Sequence, residues 1–179
     1  MIRAFAAIPM PEDVTDALEA VQDDLRIGNS VLPEHMHLTL VFLGELRGPD
    51  LDEVHHAFES VRAPAFDLRL HGLGLFGQSA PRSIHAAVEE NAALRRLQAK
   101  LEQAARNSGV ELPSRRFVPH VTIARLKGRR DEAAEAADFV ARRSLVEPPP
   151  VHVRAFHLFR SILGRTGPVY DDLAQYPLG

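Results

Sequence analysis

The chain has 179 residues, 45% of them hydrophobic and 25% charged, with 13 Pro, no Cys and a formal net charge of -3. A chain of this size buries roughly 70% of its unfolded surface, enough for a core that needs no disulfide or structural metal. The absence of Cys excludes thiol nucleophiles and Cys-ligated zinc, the net negative charge argues against coating long polyanions, and no run approaches the 18 or so apolar residues of a membrane span.

The first predicted element is a buried strand, the apolar run Ile2 to Ile8, closed by Pro9 and Pro11. These breaks come too early for a signal peptide, so a cytoplasmic protein is expected. Pro11, Glu12 and Asp13 suit the first turn of a helix, and Val14, Leu18, Val21 and Leu25 follow on one face, which predicts about four turns. A loop through Gly28, Asn29 and Pro33 leads to an apolar strand over 37–43, stopped at Gly44, and then to a helix over roughly 50–61 with Leu51, Val54, Phe58 and Val61 inward. Phe66, Leu68 and Leu70 alternate with polar neighbours as a half-buried strand does. Gly72, Gly74, Gly77 and Pro81 then read as a loop.

The second half repeats this order. It has an extended run over 83–89, a helix from Asn91 to Ser108 with Leu94, Leu97 and Leu101 on one face, and a stop at Gly109. A loop through Pro113 and Pro119 precedes an apolar strand over 121–126. An Ala-rich helix over 131–143, prolines 148–150 and a strand from Val151 to about Phe159 follow. The order strand, helix, strand, helix, strand occurs twice without residue-level repetition, so the repeat is structural. It predicts an α+β fold: one bilobal domain over 1–179, in which two pseudo-symmetric lobes each hold an antiparallel sheet with outer helices.

The central strands of the two halves share a motif, His37-Leu38-Thr39-Leu40 and His120-Val121-Thr122-Ile123. With nine His and four Thr in the chain, chance predicts roughly 0.2 His-x-Thr triplets. One such triplet in an apolar strand reads as structural, but two at matched places read as a site. Residues two apart on a strand share a face, so each segment presents an imidazole beside a hydroxyl. Two histidines divide acid and base work at neutral pH, one taking a proton from a nucleophile while the other gives one to a leaving oxygen. The hydroxyls of Thr39 and Thr122 are placed to donate to phosphate oxygens. No metal or cofactor is needed for this scheme.

Together with their flanks, these residues resemble the RNA 2′,3′-cyclic phosphodiesterases, first known as 2′-5′ RNA ligases, of the two-histidine (2H) phosphoesterase superfamily. The similarity lies in Arg3-Ala4-Phe5-Ala6-Ala7-Ile8, in 37–45 and 117–125 around the two motifs, in Leu158-Phe159-Arg160-Ser161 and in Gly167-Pro168-Val169-Tyr170. The resemblance implies a bilobal fold with one HxTx strand per lobe facing a central cleft. It implies metal-independent opening of 2′,3′-cyclic phosphate ends of RNA or nucleotides to a 2′-phosphomonoester, with reverse 2′-5′ ligation formally available. It further implies His37 as proton donor and His120 as proton acceptor, roles that the near-symmetric motifs do not distinguish. Where family members carry an aromatic after Pro81-Arg82, this chain departs with His85.

The remaining features rank below these. Arg115, Arg116, Arg125, Lys127, Arg129 and Arg130 surround the second motif in a stretch without acids, and Arg125 is the candidate phosphate ligand. In a regular strand Arg125 points away from the His-Thr face, so it reaches phosphate through a bulge or by its own length. Arg160 and Tyr170 are candidates for lining the nucleotide cleft. His35 and His37 form a His-x-His pair that would begin a metal site, but no further ligand type follows in 38–44. The competing functions are a non-catalytic RNA-end or nucleotide binding module and a metal-dependent hydrolase built on His35 and His37. The expected partners are RNA ends or cyclic nucleotides in local contact with a monomer, and no membrane.

Overall fold

The computed structural model of the chain describes residues 1–77, 79–164 and 167–179. The first half runs β1 (Ile2–Pro9), α1 (Glu12–Gln22), a short β2 (Asn29–Ser30), β3 (His37–Leu46), α2 (Gly48–Glu59) and β4 (Phe66–Leu68). The second runs β5 (Leu70–Phe76), β6 (Ser83–Val88), α3 (Ala92–Asn107), β7 (His120–Arg125), α4 (Ala133–Arg142), β8 (Val151–Val153), β9 (Ala155–Gly164) and β10 (Gly167–Pro177). None of the helices is long and apolar enough to cross a membrane, among the described residues.

Local chemistry explains the helix ends. The Asn91 side chain accepts from the Leu94 amide at 2.9 Å and so caps α3, and Gly109 with φ 84° stops it. Leu94, Leu97, Leu101 and Ala105 then bury the face that the sequence periodicity marks. Helix α1 ends at Gln22, a turn before Leu25, and the Gln22 side-chain amide donates to the carbonyls of Val31 and Ile123 at 2.9 and 2.7 Å. That contact ties the helix end to β7.

Three stretches depart from the sequence reading. The glycine-rich segment is strand β5 rather than a loop, and the chain turns only after Gly77, at φ 81°. Gly74 is glycine because a Cβ there would stand 2.6 Å from the Nε2 of His85 on the neighbouring strand. The single strand expected over 151–159 is broken at Arg154 into β8, which pairs with β4, and β9, which joins the main sheet. The third is β10, an edge strand paired along β9 and unmarked in sequence because its apolar alternation is weak. Gln78, within the expected loop, lies outside the described residues.

Among the described residues the main sheet has eight strands in the order β10-β9-β1-β3-β7-β6-β5, with β2 added on β7, and every pairing in it is antiparallel. The two expected sheets are therefore joined into one, at a narrow seam where β3 and β7 meet at a single registered pair, Leu38 opposite Val121. On either side of this seam the order is repeated: β3 lies beside β1, and β7 beside β6. Helices pack across the seam, α1 against β7 and α3 against β3. They cover the face on which Leu38, Leu40, Val121 and Ile123 are buried, and the opposite face carries the His-x-Thr side chains.

Candidate active site

The seam sets the geometry of the candidate site. Continuing the Leu38–Val121 register by one residue each way puts His37 opposite Thr122 and Thr39 opposite His120. The four side chains thus form a square with an approximate two-fold axis at its centre. Strand geometry places its diagonal corners, the two histidines among them, about 7–8 Å apart.

Both imidazoles are held by the same device. His37 Nδ1 lies 2.7 Å from the carbonyl oxygen of His35, and His120 Nδ1 lies 2.8 Å from that of Val118. A carbonyl only accepts, so each Nδ1 carries the proton and donates it, leaving Nε2 as the atom available for chemistry. His35 is not on the strand, contrary to the His-x-His reading; it ends a 3-10 turn over Pro33–His35 whose backbone orients His37. Its ring meets Tyr170 edge-on at 4.9 Å.

A second shared device follows each motif. The β1–β3 register shifts between Ala6 and Ala7, passing over Leu40, and the β6–β7 register shifts between Ile84 and His85, passing over Ile123. Each extra residue is a β-bulge that rephases the strand. The burial sequence is accordingly identical over 37–42 and 120–125: half-buried, buried, half-buried, buried, buried, exposed. The bulge brings the fifth residue after each histidine, Phe42 and Arg125, back to the His-Thr face. Arg125 donates to the Tyr170 hydroxyl at 3.4 Å, and Tyr170 meets His37 edge-on at 5.2 Å. Phe42, 48% exposed, has the Arg3 guanidinium 5.0 Å from its ring centre.

The two histidines have different surroundings. His37 stacks on Phe5 at 4.9 Å and sits near Phe159. Burial pulls it down to about 4, assisted by the charges of Arg125, His35 and His120 and opposed by the bond to the His35 carbonyl. His120 instead meets Phe76 edge-on at 4.7 Å and His85 at 5.2 Å. A cleft of about 450 Å³ opens beside His120 and Thr39, walled by Phe42, Phe117 and Arg116. A second, of about 790 Å³, opens beside His35, Arg125 and Tyr170.

Residues 10–165 match the family described as the 2′-5′ RNA ligase superfamily. The chain belongs to that superfamily. It is 35% identical over 148 residues to an RNA 2′,3′-cyclic phosphodiesterase of Aeropyrum pernix, covering 82% of this chain and 84% of the relative. The crystal structure of TT0787 of Thermus thermophilus superposes with a TM-score of 0.78 at 30% identity, over 98% of this chain and 97% of that one. Escherichia coli LigT complexed with 3′-AMP shares the fold, with a TM-score of 0.81 at 24% identity over 99% and 98% of the two chains.

Within this superfamily fold, the structure brings His37, Thr39, His120, Thr122 and Arg125 to one face and adds residues that sequence reasoning left out. Phe5 packs on His37, Phe76 packs on His120 and Phe42 walls the cleft beside His120, though no local pattern distinguishes them from core aromatics. Arg160 pairs with Asp171 rather than standing free in the cleft. Arg129 pairs with Asp131, and Lys127 and Arg130 are not among the lining of either cleft. Arg115 and Arg116 border the cleft beside His120.

Proposed function

We infer that this protein opens 2′,3′-cyclic phosphates at RNA ends or on nucleotides to 2′-phosphomonoesters without a metal, by two-histidine acid/base catalysis. The observation that carries the reading is the matched pair of imidazoles on adjoining strands. Each has Nδ1 committed to a backbone carbonyl and Nε2 left for proton transfer. The names of the relatives supply the substrate class, and LigT in complex with 3′-AMP supports a nucleotide ligand.

The phosphate sits at the centre of the His-Thr square, with the Thr39 and Thr122 hydroxyls donating to its non-bridging oxygens. His120 Nε2 takes a proton from the attacking water, the bond from phosphorus to the 3′ oxygen breaks, and His37 Nε2 gives its proton to that oxygen. The products are a 2′-phosphomonoester and a free 3′ hydroxyl. His37 is neutral in the empty site, and the anionic phosphate is what favours its charged form. The nucleoside, still joined to phosphorus through its 2′ oxygen, lies with its departing 3′ oxygen on the His37 side, where Tyr170 offers a ring and Arg125 a cation for the base and phosphate.

In-line attack brings the nucleophile from the opposite side, where the cleft beside His120 lies. A 5′ hydroxyl taking the place of water would join two RNA ends in a 2′-5′ linkage, with its base against Phe42. The two sides of the sheet act as lobes around this centre, and the chain over 1–179 works as one monomeric unit. The test is incubation with 2′,3′-cyclic AMP after exhaustive EDTA treatment: full turnover to 2′-AMP is expected, and loss of turnover or a 3′-phosphate product overturns the reading.

A further inference from the structure

His85 is the one buried side chain of the His, Asp, Glu, Lys or Arg types among the described residues, 7% exposed, and its Nδ1 is a buried atom with no hydrogen-bond partner among them. It is also built in. Phe76 stacks on it at 4.3 Å, the His120 ring meets it at 5.2 Å, and Gly74 leaves the space its Nε2 occupies. A buried polar atom without a partner is costly and calls for an explanation. The register supplies one, because His85 lies directly opposite Thr122 on the neighbouring strand, while the corresponding place opposite Thr39 holds Ala7. Residues so paired have Cβ atoms about 4.5–5.5 Å apart, within reach of an imidazole nitrogen and a hydroxyl.

We propose that His85 is a positioning residue for Thr122: with phosphate bound, its Nδ1–H donates to the Thr122 hydroxyl oxygen, so that the hydroxyl proton points at a non-bridging phosphate oxygen. A threonine hydroxyl has one proton that swings freely and lone pairs that accept. A fixed N–H donor behind the oxygen removes that freedom and makes the hydroxyl a preorganised donor. Burial pushes His85 down to about 4, with the nearby charge of His120 acting in the same direction, so at neutral pH it carries one N–H and no charge to compete for the phosphate. The site is therefore asymmetric, with Thr122 oriented by a side chain and Thr39 not. This inference rests on the two-histidine reading of the site.

The test is a double-mutant cycle with 2′,3′-cyclic AMP. His85→Phe keeps a ring between Phe76 and His120 but loses the N–H; kcat falls about tenfold while KM changes less than about twofold. In a Thr122→Val background the same change alters kcat less than about twofold. With Thr122 intact, His85→Asn, whose amide nitrogen takes the place of Nδ1, retains most of the activity that His85→Phe loses. An equal loss in both backgrounds, or no loss at all, overturns the proposal. If the variants fail to fold, 15N spectra of the wild-type protein titrated with inorganic phosphate decide instead. A protonated His85 Nδ1 whose resonance moves with phosphate supports the proposal, and a His85 unchanged at saturation overturns it. A protein that binds phosphate but does not turn over the cyclic substrate refutes the two-histidine reading, and the spectra still decide the role of His85.

Discussion

Burial that holds His37 near 4 has a measurable consequence for its proposed role as proton donor. At pH 7 only about one free molecule in 10³ carries it protonated, and forming that state costs about 4 kcal/mol. A phosphate anion within about 4–6 Å acts against this and raises the value by about 1–3 units. The assay is an NMR titration of ring-labelled histidine, with and without 2′-AMP. In the free protein His37 titrates near 4, and saturating 2′-AMP moves its midpoint upward. Arg125→Gln also moves the free midpoint upward, since Arg125 is the largest of the neighbouring charges that lower it. The kinetics follow the same division: the midpoint that His37 contributes to kcat/KM reports the free protein and lies near 4, whereas the one it contributes to kcat lies higher. A His37 that titrates near 6.5 in the free protein, or one indifferent to 2′-AMP, refutes the reasoning.

Other substitutions give equally direct readouts. His37→Ala and His120→Ala each lower kcat for 2′,3′-cyclic AMP by at least about 10²-fold, measured by product chromatography. Phe42→Ala leaves hydrolysis of the mononucleotide within about twofold but depresses the yield of 2′-5′ joined product from RNA ends, as scored on gels. His85 makes the fold acid-sensitive. Its native value lies below the ordinary 6.5, so the unfolded chain takes up a proton between about pH 6.5 and 4, and stability falls as pH falls through that window. The loss attributable to His85 at pH 4 is about 3 kcal/mol. Urea unfolding of His85→Phe at pH 7 and pH 4 therefore shows a smaller acid loss than the wild type, and an equal loss contradicts the assignment.

The parts of the site readable in the sequence are those carried by strand alternation. His37 with Thr39, and His120 with Thr122, share a face by spacing alone. Arg125 is readable only with a bulge, and its trace is the pair of consecutive buried residues after each threonine, Leu40-Val41 and Ile123-Ala124. In the β5 segment Gly74 serves a neighbour, the ring of His85, rather than a turn, and that contact exists only once β5 and β6 are paired. The exposed edge strand β10 buries too little to show a period. Phe76 and His85 reach His120 from strands remote in sequence, so only the sheet order brings them together.

The central claim is that His37 and His120 do opposite work on one phosphate. A 2′,3′-cyclic substrate with sulfur in place of the 3′ oxygen tests it, because a thiolate leaves without a proton donor. Single-turnover rates of the two alanine variants on this substrate and on its oxygen parent are the measurement. His37→Ala is expected to regain near wild-type rates on the sulfur substrate while His120→Ala stays impaired on both; equal impairment of the two variants on both substrates contradicts the account.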